Sequence, residues 1–209
     1  MTQTCTPKWL DWARELQAIG QTGLAFTGSP YDTQRYRRVG ELAAEIIATH
    51  TTLPKSEIVQ SFSAQPGYAT AKVDVRGAVV RDGRILLVQE RRDQRWCMPG
   101  GWADVGDRPS EMVAREVWEE SGFRVTATKI VGIFDANRGN RPLECYHAYK
   151  VVFLCNITGG EARDSDETMA VEFFDFDALP PLSTDRTNDR HLAEVRAHLR
   201  DPSRLAAFD

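Results

Sequence analysis

Apolar residues recur along this chain with two different periods, and the change between them divides it. Up to Gln65 the spacing is helical. Trp9, Leu10, Ala13, Leu16 and Ile19 predict a first helix with Gly20 as its stop. A second helix is expected from an N-cap at Asp32 or Thr33 to about His50, on the stripe Tyr36, Val39, Leu42, Ala43, Ile46 and Ile47. Residues 55–63 read as a short third helix. Pro66-Gly67 then interrupts the pattern, which sets a helical region at 1–66 against a second region at 67–209. From Ala69 the period falls to two, with Ala71, Val73 and Val75 alternating with Lys72, Asp74 and Arg76. Asp82-Gly83 signals a hairpin into Ile85–Val88. A helix over roughly 109–121 follows a glycine-rich loop. Strands are expected near 129–134, 147–155 and 171–176, and a last helix near 188–199. Strands interleaved with a few helices predict α/β or α+β layers.

Composition narrows the class. The 209 residues are 42% hydrophobic and 27% charged, which is ordinary globular usage and excludes disorder or a fibrous repeat. The formal net charge is -4, against a surface that coats nucleic acid or anionic membrane. The start has no basic segment leading into an apolar stretch, and Val151–Cys155 is too short to span a bilayer, so a cytoplasmic protein is expected. Cys5, Cys97, Cys145 and Cys155 lack metal-site spacing and read as free thiols, with a Cys145–Cys155 bridge as the alternative. Residues 1–68 balance six basic against six acidic side chains, so the whole carboxylate excess lies beyond them.

Part of that excess is concentrated on one helix. At about 100° per residue, Glu116, Glu119 and Glu120 fall within an arc of roughly 100°, beside an apolar arc of Val113, Ala114, Val117 and Trp118. Three stacked carboxylates repel unless solvated, paired or bridged by cations, and Arg115 offsets only part of their charge. Hard oxygen ligands on a rigid face suit Mg²⁺ or Mn²⁺ with a phosphate substrate.

The surrounding residues fit the Nudix box, G-x5-E-x7-R-E-U-x-E-E-x-G-U with U bulky and apolar. Gly101, Arg115, Glu116, Val117, Glu119, Glu120, Gly122 and Phe123 all fall on it, and Asp107 stands where the pattern has glutamate. The sequence therefore resembles a Nudix hydrolase. That resemblance implies an α/β/α sandwich with a mixed sheet, preceded here by a small all-α domain. The helical N-terminal region, Pro99–Asp104, the stretch Phe134–Arg138 and Leu179–Ser183 resemble the subgroup that joins an N-terminal helical domain to a Nudix domain. Such enzymes hydrolyse nucleoside diphosphates linked to another group, such as ADP-ribose or CDP-choline.

By the same resemblance Glu116, Glu119 and Glu120 bind Mg²⁺, with Mn²⁺ substituting, and the backbone carbonyl of Gly100 or Gly101 adds a ligand. A further acid is expected from a loop before a late strand, with Glu167 the best positional match and Asp166 or Glu172 as alternatives. The general base is Glu119, Glu116 or Glu167, and reach to the attacking water decides among them. For the substrate, Trp102 either stacks on a base or wedges its loop. Arg91, with Arg92 and Arg95, is a candidate phosphate contact, and Phe134, Asp135 and Arg138 lie where a ligand could rest. His191 is expected on the surface of the last helix, and Pro180-Pro181 fixes a turn before it. The family usually forms homodimers, so the N-terminal helices are expected to serve dimerisation or to complete the substrate pocket. Two other functions fit less well. A ligand-sensing module that binds a partner or nucleic acid would not need the three glutamates. A hydrolase of RNA ends or damaged nucleotides would keep them and differ only in substrate.

Overall fold

The computed structural model describes residues 7–136 and 147–209; Cys5, Arg138 and Cys145 lie outside them. The chain forms two compact units, one from the N-terminal residues through Ala71 and one from Lys72–Ala136 with Ala148–Asp209.

The first unit comprises α1 (Lys8–Phe26), α2 (Pro30–His50) and α3 (Lys55–Ser63). Gly20 does not stop α1, which continues to Phe26. A Cβ on Gly20 would lie 3.0 Å from the Tyr36 carbonyl oxygen, and one on Gly23 only 2.3 Å from the Tyr36 ring. The glycines thus let α1 and α2 approach closely, which offsets the ~1 kcal/mol that glycine costs inside a helix. Nor does α2 begin at Asp32 or Thr33. Pro30 opens it, preset for the first helical position, and the Ser29 hydroxyl accepts from the Asp32 N–H at 3.4 Å. Ala13, Ala44, Ile47 and Ile58 form the unit's core. On the outer side of α1, Trp12, Ile19 and Phe26 recur every seven residues and stay 52%, 48% and 73% exposed. Ile19 and Phe26 border an open cavity of about 630 Å³ that Tyr36 and Tyr68 also line.

The second unit is built on a mixed sheet of β1 (Lys72–Arg81), β2 (Arg84–Glu90), β3 (Trp96–Cys97), β4 (Phe123–Asp135), β5 (Ala148–Gly160), β6 (Thr168–Asp175) and β7 (Ala207–Phe208). Asp82 and Gly83, both at positive φ, turn β1 into antiparallel β2. β1 runs parallel to β5 along Lys72–Val79, and β5 runs antiparallel to β4. β2 carries β6 on one side and β3 on the other. Helix α4 (Pro109–Ser121) covers one face, its Met112, Val113 and Val117 packed on Val75, Val79 and Phe153. Helix α5 (Asp189–Arg200) covers the other, with Leu192 and Val195 on Ala78, Val131 and Phe134. The result is the expected α/β/α sandwich with a helical N-terminal region. One expectation fails on α5: His191 is buried, not on the surface. Its N–H and Nδ1 complete a capping box with Asn188, and its ring meets Phe134 at 4.8 Å. Among the described residues, no helix is long and apolar enough to cross a membrane.

Candidate active site

Two backbone devices bring the box together. Residues 99–103 pair along β1 as an edge strand: Val75 N–H donates to Gly101, Gly77 N–H to Pro99, and Ala103 N–H to the Val73 carbonyl, at 2.8–2.9 Å. Gly100 sits at φ +145°, and a Cβ there would lie 2.0 Å from the Val75 oxygen, so only glycine fits. A Cβ on Gly77 would lie 2.4 Å from Val117, which shows how closely α4 is seated on β1. The helix ends where Gly122 takes φ 79° and caps it.

This seating carries Glu116 and Glu120 to the glycine strand. Glu120 is 6% exposed and its Oε2 accepts from the Gly100 N–H at 2.9 Å. An oxygen of Glu116 would lie 2.7 Å from a Cβ on Gly101, so any side chain at 101 would displace that carboxylate. Burial pushes the Glu120 carboxyl up to about 8, against the opposing pull of Arg76 and the Gly100 hydrogen bond. Glu116 is also raised, by burial first and then by the charges of Glu119 and Glu167, while Arg115 and Arg76 oppose the shift. Arg115 links the acids at the rim, with Nη1 3.1 Å from both Glu116 and Glu119 and Nη2 2.9 Å from Asp107 and 3.3 Å from Asp104. The shorter Asp107 side chain thus still pairs with the box arginine.

Beneath the strand lies a buried ionic cluster that the sequence reading did not single out. Arg76 donates to both oxygens of Asp74, at 2.9 and 2.8 Å, and to the Met98 carbonyl at 3.2 Å. Lys150 Nζ donates to Asp74 at 3.0 Å. All three residues are at most 5% exposed. Of this group, the Arg76 charge acts on both Glu120 and Glu116. A lysine within the apolar run Tyr149–Cys155 was the available signal.

The other candidates are distributed as follows. Glu167 belongs to a loop bonded to the end of α4, and its charge acts on Glu116. Arg91 donates through its guanidinium to the Ser165 carbonyl on that loop at 3.0 Å. Trp102 forms a bridge with Asp74 on β1, stays 45% exposed and has the Lys72 ammonium 5.9 Å from its ring. Asp135 ends β4, opposite Tyr149. Arg138 falls outside the described residues. Cys97 and Cys155 are free and buried.

Among the described residues, no three carboxylates or imidazoles converge as a ready-made cation site. Arg115 pairs with Glu116 and Glu119, and Glu120 accepts from Gly100. The donor set nevertheless fits a hard divalent cation. It consists only of oxygens, and the charged form of Glu120, which burial disfavours, is one that a nearby cation would stabilise. Gly101 spends its carbonyl on Val75, while that of Gly100 accepts no hydrogen bond among the described residues. Of the two expected glycine ligands, Gly100 is the more available.

Comparison with known proteins gives the family of this sandwich, whose helix-borne acids are seated on a glycine stretch. The NUDIX domain model matches residues 71–195, and a model described as "UDP-X-like, N-terminal oligomerisation domain" matches residues 7–62. The chain belongs to the Nudix family and is a Nudix hydrolase. It is 38% identical over 202 residues to the Bacillus subtilis protein named "Putative ADP-ribose pyrophosphatase YjhB", across 97% of each chain. It is 31% identical to an ADP-ribose pyrophosphatase of Methanocaldococcus jannaschii, across 56% of this chain and 70% of that one. A solved ADP-ribose pyrophosphatase from Streptococcus suis 89-1591 superposes with a TM-score of 0.61 at 38% identity, over 67% of this chain and all of that one. A UDP-X diphosphatase gives 0.62 at 29% identity, over 96% and 98%.

Proposed function

We propose that this enzyme cleaves the diphosphate of a nucleoside diphosphate linked to a second group, yielding a nucleoside monophosphate and the phosphorylated second group. ADP-ribose is the first candidate, in keeping with the names of its relatives, and CDP-choline the second. The observation that carries this reading is the placement of Glu116 and Glu120 against the Gly100–Gly101 strand, with Glu119 one turn along from Glu116. Mg²⁺, with Mn²⁺ as substitute, is the proposed cofactor, held by Glu116, Glu119, Glu120 and the Gly100 carbonyl. When bound, it supplies charge to offset that of the diphosphate oxygens.

The chain's own groups do the remaining work. A water attacks one phosphorus, its proton passes to Glu116, Glu119 or Glu167, and the bridging P–O bond breaks toward the departing phosphate. The Gly100 N–H holds Glu120 in place, and the edge strand prevents the backbone from yielding as charge develops. Trp102, Asp135 and Arg138 are the proposed substrate contacts.

The helical region, proposed at 1–66, is assigned to homodimerisation, with the exposed Trp12–Ile19–Phe26 stripe as the supporting feature. A cytoplasmic location completes the reading, supported by the free thiols.

The test is product analysis with Mg²⁺ across ADP-ribose, CDP-choline and UDP-sugars. AMP and ribose 5-phosphate are expected from ADP-ribose. No monophosphate from any substrate, or full activity in Glu119→Gln or Glu120→Gln, refutes the reading.

A further inference from the structure

The connection from β5 to β6 is anchored on two sides. On the α4 side, the Thr168 hydroxyl donates to the Glu120 carbonyl at 2.9 Å, and the Arg163 N–H donates to the Ser121 carbonyl at 2.9 Å. These carbonyls lie at the end of α4, where the helix itself supplies no partner. Thr168 is fully buried, and the Ser165 N–H donates to its hydroxyl oxygen at 3.2 Å. On the other side, Arg91 just beyond β2 grips the same turn twice. Its N–H donates to the Glu167 carbonyl at 3.1 Å, and its guanidinium to the Ser165 carbonyl at 3.0 Å. Ser165, Thr168 and the main chain of Glu167 are thus held, while the described contacts include no bond from its side chain within the turn, and its charge acts on Glu116.

We infer that Arg91 and Thr168 are positioning residues that fix the Glu167 carboxylate relative to Glu116 and Glu120. Arg91, expected from the sequence to meet phosphate, acts instead through the turn. The Thr168 hydroxyl bonds to the main chain of Glu120, so a shift of the last turn of α4 carries Glu167 with it. The acids from helix and loop then behave as one unit. This inference rests on the proposed role of Glu167. It differs from a purely structural role in one respect: the effect of either residue on turnover must pass through Glu167.

A double-mutant cycle with ADP-ribose and Mg²⁺ reads that dependence. Thr168→Val keeps the shape and removes the hydroxyl, and Arg91→Met is an exposed change that leaves the core intact. Each should lower kcat about tenfold with KM within about twofold, since small misplacements of an acting group are costly. Thr168→Ser should restore the wild-type rate. In a Glu167→Gln background neither change should lower kcat further. Losses that multiply with Glu167→Gln, or wild-type kcat in both single variants, overturn the inference while leaving Glu167 in place. Wild-type kcat in Glu167→Gln alone removes the role of Glu167 and the inference with it. Hydrogen exchange gives a readout that does not depend on substrate. Both variants should speed exchange at the Glu167 and Thr168 amides, and unchanged exchange there also overturns the inference.

Discussion

Replacing Glu120 with glutamine isolates the cost of holding a charge under the glycine strand. Glutamine keeps an oxygen for the Gly100 N–H and removes the ionisation. In the metal-free protein the Glu120 carboxyl titrates near 8, raised from 4.5 mainly by burial. Below pH 4.5 both the folded and the unfolded chain hold the proton, and the group has no pH-dependent effect. Between 4.5 and 8 the unfolded chain releases it and the folded chain does not, so stability falls as pH rises. The slope is at most ~1.4 kcal/mol per pH unit, giving an upper bound of about 5 kcal/mol by pH 8. Glu120→Gln lacks this slope. Thermal denaturation in EDTA should therefore show the variant gaining on wild type from pH 5 to pH 9, by roughly 15 °C at most for a chain of this size. Saturating Mg²⁺ should flatten the wild-type curve and change the pH dependence of the variant, which lacks this ionisation, less. A Tm difference between the two proteins that is constant with pH refutes the assignment of a costly buried charge to Glu120.

Three further outcomes follow from the packing. Gly77→Ala puts a methyl 2.4 Å from Val117 and should cost about 1–3 kcal/mol in urea denaturation. Asp74→Asn removes the buried carboxylate that Arg76 and Lys150 share, and should lower stability by about 3–5 kcal/mol in the same assay. Ile19→Asp with Phe26→Asp places charge on the exposed stripe of α1 and should give a monomer in analytical ultracentrifugation without unfolding the unit. A wild type that is already monomeric refutes the role assigned to that stripe.

The features readable in advance were those fixed by local chemistry. Proline at its first position and glycine after its last set both ends of α4, and its carboxylate spacing is a property of any helix. Asp82-Gly83 likewise demanded the left-handed turn it makes. The misreadings arose where a residue's local tendency was overruled by its neighbours in space. Gly20 looks like a stop, yet it lies where α2 comes within 3.0 Å, a fact carried by residues sixteen and twenty positions away. Asp74 and Arg76 alternate with valines and look solvated, but they are buried because Lys150 on β5 completes their pairing. His191 has the composition of a surface residue and is buried by Phe134 of β4. The hydrogen bond from Arg91 to a loop seventy-four residues away is likewise invisible in its own sequence surroundings.

The pairing of residues 99–103 along β1 has a mechanical meaning. A stretch that looks from its glycines like a pliable loop is held along β1 by three main-chain hydrogen bonds and a bridge from Trp102 to Asp74, beside the seven strands of the sheet. Its backbone should open only when the sheet opens, so the amides of Val75, Gly77 and Ala103 should exchange as slowly as the core. Adaptation to new substrates then has to occur elsewhere, as in the turn around Glu167. The stretch against which Glu116 and Glu120 sit serves as a fixed anvil, against which that turn can be retooled.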